Sequence, residues 1–314
     1  MFFVTLEQVI IMLLLMLVGL LCVKIGFIHE KTVTDMTQVL LYIISPCLIL
    51  KAFQEDFSQE RLILLGKLLL ILGITFVANI FIAMLLFNKK TVKNKETCDI
   101  LRFGASYTNS SFIGIPLAQA LNGAMGVFCA VPYLVLFNIF LWTHGTSLFN
   151  KNNDAKISHW ETLKKVIINP NILASAAGLV FFIGNITFPS IVSDALTYVG
   201  NLNTGLSMIV IGTNLALISF RDIITDKMAW LGTIVRNVVF PVIPIILLML
   251  IPLDHVAAST TLIEASCPVA GTAVMFSILN EYDVQFTTRL ICLSTVMSVL
   301  TIPVIMTVGE MTGI

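Results

Sequence analysis

Asn109, Ser110 and Ser111 open the run Asn-Ser-Ser-Phe-Ile-Gly-Ile-Pro, 109–116, in the middle of a segment apolar enough to cross a membrane. The amide and the two hydroxyls offer hydrogen-bond donors and acceptors, whereas Gly114 and Pro116 disfavour the regular helix that would satisfy its own backbone. A backbone interrupted at membrane depth is tolerated only inside protein or beside a water-filled cavity. The chemistry on offer is therefore recognition of a solute. A second interruption, Ser266-Cys267-Pro268-Val269-Ala270-Gly271-Thr272, falls about half a chain later. Two broken spans at corresponding positions of two halves point to a transporter's substrate site. Meeting head to head, they would turn free N–H groups and two positive dipole ends toward one cavity, where a carboxylate binds without a cation. Asn109, Ser110 and Ser111 supply donors on the first side, and Ser266 and Thr272 on the second. Asn138 is either a further donor or a helix-to-helix contact worth about 1 kcal/mol or less. The bland alternative is that small polar residues serve packing and prolines only kink helices. Pro46, Pro132, Pro241, Pro244 and Pro303 read that way; Pro116 and Pro268 differ in the Asn, Ser, Gly and Thr around them.

Ionisable residues inside apolar spans are costly and count as functional candidates by default. Arg236 lies about eight residues, or ~12 Å, inside one span, and Glu264 a similar depth into the next from the opposite side. In a ~30 Å core the two could pair, or Arg236 could snorkel to the interface. Arg236 is also the natural partner of a second substrate carboxylate if it faces the cavity. Lys67 is a third candidate, with snorkelling to the outer surface as its plainer reading. His144 could titrate near neutral pH, although a lone histidine near a span end reads first as interfacial. Asn214 reads as packing or capping.

The elements that must position these residues follow from composition. Hydrophobic residues make up 57% of the chain and charged ones 11%, with a mean hydropathy of +0.97. Soluble domains carry about 25% charged residues. The chain reads as an all-α polytopic membrane protein. Net charge is zero, so nothing suggests nucleic acid. The six cysteines are scattered singly, which favours buried free thiols over disulfides or metal ligands. No metal site, cofactor or enzymatic motif such as His-Glu-x-x-His is legible. Cutting at polar clusters gives ten spans near 5–26, 33–53, 62–87, 99–122, 125–149, 164–185, 191–218, 228–251, 255–279 and 285–309. With the N-terminus outside, nearly all loop lysines and arginines fall on the cytoplasmic side, and only Lys51 and Arg61 in outer connections. Both termini would face out, and the hydrophilic loop 150–163 would be cytoplasmic. That loop divides residues 1–149 from 164–314, five spans each. A five-span unit repeated must enter the membrane with opposite orientation, an inverted repeat.

At these residues the sequence resembles the auxin efflux carrier family, which includes plant PIN carriers and bacterial malate or malonate permeases. Asn109 through Leu117 is similar to that family's Asn-x-x-x-x-Gly-Ile-Pro-Leu stretch in its fourth span. Cys267-Pro268 through Asn280-Glu281-Tyr282-Asp283-Val284 resembles its ninth, Ser294 to Pro303 its tenth, Ser45-Pro46 its second and Asn169-Pro170 the start of its sixth. The resemblance implies a scaffold from spans 1, 2, 6 and 7 and a transport domain from spans 3–5 and 8–10. It also implies crossover helices 4 and 9 near the substrate, an elevator-type mechanism and a homodimer. Ser45, Gly114, Pro116, Cys267 and Pro268 join the candidate substrate residues through it. The family carries an ionisable cluster on span three, but the acidic companion expected one turn before Lys67 is Ile63.

The expectation is a secondary transporter of small organic carboxylates in the cell membrane, surrounded by lipid, with Glu264 and Lys67 as coupling candidates for a proton or sodium ion. A channel or facilitator for small anions or neutral solutes is the alternative. Asn169-Pro170-Asn171 resembles one aquaporin half-site, but a water channel would need two in a six-span arrangement.

Overall fold

The computed structural model describes residues 2–149, 164–216 and 220–314. The loop expected over 150–163, with Lys151, Lys156, His159 and Trp160, lies outside the described residues, and so does the domain boundary placed there.

The described chain is almost entirely helical. In order it forms α1 (Phe2–Lys24), α2 (Glu30–Val39), α3 (Ser45–Ala52), α4 (Gln59–Leu86), α5 (Lys95–Ser106), α6 (Ile115–Phe140), α7 (Pro170–Ile183), α8 (Ser190–Ala216) and α9 (Phe220–Thr225). It continues with α10 (Lys227–Ile234), α11 (Val242–Leu250), α12 (His255–Ser266), α13 (Thr272–Leu279) and α14 (Val284–Met311). Single π-helical turns at Leu40–Ile44, Ser110–Gly114, Leu141–Gly145 and Val235–Val239 join or extend these helices. Such turns are rare and frequently sit at functional sites.

Helix starts are written in local chemistry. Ser58, Asn94, Asn169, Asp226, Asp254 and Asp283 each precede a helix and accept hydrogen bonds from its first N–H groups. Among the described residues, six stretches are long and apolar enough to cross a membrane: Phe2–Lys24, Lys31–Ala52, Gln59–Leu86, Ser110–Leu148, Lys227–Leu250 and Val284–Met311. The remaining expected spans are shorter, interrupted or polar. Helix α7 has 14 residues, α5 and α12 stop at 12, and α8 carries Asn201, Asn203, Thr204 and Ser207 along its length. Ser110–Leu148 is itself broken at Gly123, whose φ of 62° is open to glycine at little cost.

Two packing groups position the site. Helix α1 lies against α8, and α3 against both α7 and α8. The α1–α8 approach is backbone to backbone: a Cβ at Gly19 or Gly212 would collide with the main chain of Ile209 or Met16. In the second group α6 packs on α4 and α12, α12 on α14, and α14 on α10.

Candidate functional site

The two interruptions meet. Helix α5 ends at Ser106 and α12 at Ser266, and the extended residues after each run antiparallel for one bridge, Thr108 opposite Val269. The Asn109 N–H donates to the Pro268 carbonyl at 2.7 Å, and the Ala270 N–H to the Tyr107 carbonyl at 3.0 Å. Each strand thus supplies partners for backbone groups the helices have abandoned, which is what permits a break at this depth. Side chains pin the bridge from outside. Thr108 shares a hydrogen bond with the Tyr133 hydroxyl at 2.7 Å, and Ser294 Oγ accepts from the Val269 N–H at 3.0 Å. Tyr107 reaches the Phe140 carbonyl and His144 Nδ1, both at 2.9 Å, so His144 is tied to the crossover.

Arg236 is the electrostatic keystone. It projects from the π turn of Val235–Val239, is wholly buried, and donates from Nη1 to the Ala105 carbonyl at 2.8 Å and from Nη2 to the Ala265 carbonyl. Those carbonyls belong to the last turns of α5 and α12, where four orphan acceptors and a negative dipole end collect. One planar guanidinium serves both ends, as its fork of donors allows and an ammonium does not. Arg236 and Glu264 form no ion pair. Arg236 turns to the carbonyls, while both Glu264 carboxylate oxygens lie buried without a hydrogen-bond partner.

Beyond the bridge a cavity of about 340 Å³ opens between the crossover and α2, α7 and α8. Asn109, Ser111, Asn138 and Thr272 line it. Asn138 Oδ1 accepts from Asn169 Nδ2 at 2.9 Å, the helix-to-helix contact, and its own amide donates to the Leu134 carbonyl, while the residue also lines the cavity. The Asn109 side-chain amide makes no hydrogen bond to a described residue. Ser110 faces away from the cavity, and its hydroxyl is buried and unpartnered. Ser266 is buried at the end of α12, and Gly114, Pro116, Cys267 and Pro268 shape the crossover without reaching the cavity surface. Ser45 begins α3 in a buried position away from the cavity, and Lys67 is exposed on α4.

Asn214, which the sequence assigned to packing or capping, lines the cavity too, as do Asn171 and Thr295, with Tyr42, Phe112, Phe137 and Trp142 as its aromatic wall. Asn171 Oδ1 and Thr295 Oγ1 are buried and unpartnered. The signal for Asn171 was present in Asn169-Pro170-Asn171, where Asn169 caps α7 and leaves Asn171 one position inside. Among the described residues, no aspartate, glutamate, lysine, arginine or histidine lines this cavity.

Membrane-length apolar helices, a broken-helix crossover and a cavity beside it define an integral membrane protein of the transporter class. The chain matches the family described as "Membrane transport protein" over residues 4–306, and it belongs to that family, the one of the auxin efflux carriers. Two relatives are similar along nearly their whole length. An uncharacterized transporter of Methanothermobacter thermautotrophicus is 24% identical over 305 residues, spanning 95% of this chain and 96% of the relative. Another, of Methanocaldococcus jannaschii, is 25% identical over 311 residues, spanning 95% and 97%.

Proposed function

We propose that the protein carries a small solute with a single carboxylate and an apolar body across the membrane by alternating access. One observation carries the reading: the N-terminal turns after both breaks, at Ser111–Phe112 and Gly271–Thr272, line one cavity that has aromatic walls and, among the described residues, no charged side chain. Free N–H groups and two positive dipole ends suit one anionic group. A second carboxylate would enter without a counter-charge at a cost of several kcal/mol, because Arg236 is committed elsewhere. Malate-like and malonate-like dicarboxylates therefore rank below monocarboxylates with aryl or branched bodies.

In this reading ten spans form two inverted five-span repeats. Helices α1, α2, α3, α7 and α8 make the scaffold, and the rest of the bundle moves past it in an elevator. The cavity lies between the two groups, as that motion requires. Its lining comes from the ends of helices that the lysine and arginine asymmetry assigns to the cytoplasm, so the state described is inward-facing. On the other side of the crossover Ile113, Leu117, Leu262 and Ile263 pack in one buried cluster, which favours a carrier over an open channel.

The test is thermal stabilisation of the purified full chain by a panel of mono- and dicarboxylates, because a ligand bound only to the folded state raises stability by mass action. Aryl monocarboxylates should stabilise and malate and malonate should not, with the shift lost in Asn109→Ala. Stabilisation by dicarboxylates alone would overturn the proposal.

A further inference from the structure

Glu264 lies two residues before the end of α12 and is 1% exposed, and neither carboxylate oxygen has a hydrogen-bond partner. Its place is made by a missing side chain: a Cβ on Gly114 would come within 2.8 Å of the Glu264 carboxyl carbon. Ser110, one turn before Gly114, turns its own buried and unpartnered hydroxyl toward this carboxyl. A bare carboxylate in such surroundings costs several kcal/mol unless a counter-charge or a proton neutralises it.

Among the described residues, the elements packed on α12 supply no counter-charge. From the turn Val235–Val239 comes Arg236, spent on two carbonyls; from α6 come Cys129 and Tyr133, the latter tied to Thr108. From α14 come Arg289, bound to Asp226, Cys292 on the cavity side, and exposed Glu310. From α4 come exposed Glu60 and Lys67 and Arg61, which pairs with Glu55; α11 and the turn Ser110–Gly114 carry no ionisable group. On α12 itself His255 is exposed at the first turn, and Cys267, just past its end, donates to the Ile263 carbonyl. A hard metal cation would want about six oxygen ligands. Among the described residues, no group of three or more His, Cys, Asp or Glu side chains gathers at Glu264 to hold one.

We propose that Glu264 is the coupling site of transport and carries a proton as the neutral acid in the conformation described here, its O–H directed to Ser110 Oγ. The proton is taken from water on one side of the membrane and returned to water on the other; no other bond is made or broken. A polar seam leads away from it on the side opposite the cavity. Thr260, one helical turn earlier on the same face, and Ser259 accept from Asn122 Nδ2 at 3.0 and 2.9 Å, beside the break at Gly123. The coupling half of the proposal rests on the carrier reading above; the protonated acid does not.

Two experiments separate the halves. Infrared difference spectra of the full chain in detergent, across a pH titration, should show the C=O stretch of a buried carboxylic acid that vanishes in Glu264→Gln and shifts in Ser110→Ala. An unchanged spectrum in Glu264→Gln would overturn the site as a proton site. So would thermal stabilisation by sodium over potassium that Glu264→Gln abolishes. In proteoliposomes with phenylpyruvate as probe, a proton gradient should drive accumulation by the native protein, and Glu264→Gln should reduce this to equilibration. Equal accumulation by both would overturn the coupling. Absence of phenylpyruvate flux in the native protein would count against the carboxylate reading and leave the infrared result standing.

Discussion

Arg236 admits two roles that predict opposite behaviour, and the substitution Arg236→Lys separates them. The guanidinium makes two charge-assisted hydrogen bonds to carbonyls on two different helices, Ala105 on α5 and Ala265 on α12. A lysine ammonium keeps the charge but reaches one of these carbonyls, since it lacks the planar fork. The lost bond is of the charged kind, worth about 1.5–3 kcal/mol. At 1.4 kcal/mol per tenfold, that is roughly a 10- to 150-fold shift toward the unfolded state. Arg236→Met removes both bonds, about 3–6 kcal/mol, but also relieves the burial of an unpaired cation, itself worth several kcal/mol. Methionine should therefore cost no more than lysine, an order that surface electrostatics would not give. The assay is chemical unfolding of the full chain in detergent, alongside uptake of one monocarboxylate and one dicarboxylate. A structural cap predicts lower stability and equal loss of both fluxes in Arg236→Lys. Unchanged stability with selective loss of dicarboxylate flux would refute the capping argument and make Arg236 a substrate ligand.

Other substitutions probe the remaining geometry. Gly114→Ala should push the Glu264 carboxyl from its place and at least halve uptake, read as initial rate in proteoliposomes, while Ser111→Ala should weaken ligand stabilisation without disturbing the fold. Asn109→Ala should reduce transport and leave thermal unfolding within about 1 kcal/mol of the native protein, because its amide has no described hydrogen bond to lose; full activity would sink the crossover as the substrate site. Gly212→Val should force α1 and α8 apart against the Met16 main chain, so the purified protein should unfold at lower temperature. Asn169→Ala removes both the cap of α7 and the partner of Asn138, at about 1–2 kcal/mol by chemical unfolding.

The parts legible in the sequence were those that depend on position along one helix. Hydropathy and the polar clusters between apolar runs located the helices, and the Asn, Ser, Gly and Pro around 109–116 and 266–272 located both breaks, because a helix cannot hide such residues in lipid. What depends on rotation about a helix axis was not legible. Ser110 and Ser111 are neighbours, yet one hydroxyl turns to Glu264 and the other to the cavity, a choice made by a π turn that no local pattern announces. Thr295 and Asn214 reach the cavity only because α14 and α8 happen to pass it. Depth alone made Arg236 and Glu264 look like a pair. Their directions separate them, and the separation has a physical reason: the guanidinium finds two helix C-termini that need a cation more than a carboxylate does, since carbonyls cannot be neutralised by a proton. Glu264 can be. An arrangement in which the fixed charge goes to groups that cannot titrate, and the titratable group is left without a counter-ion, joins the two halves of the crossover while leaving one charge free to change.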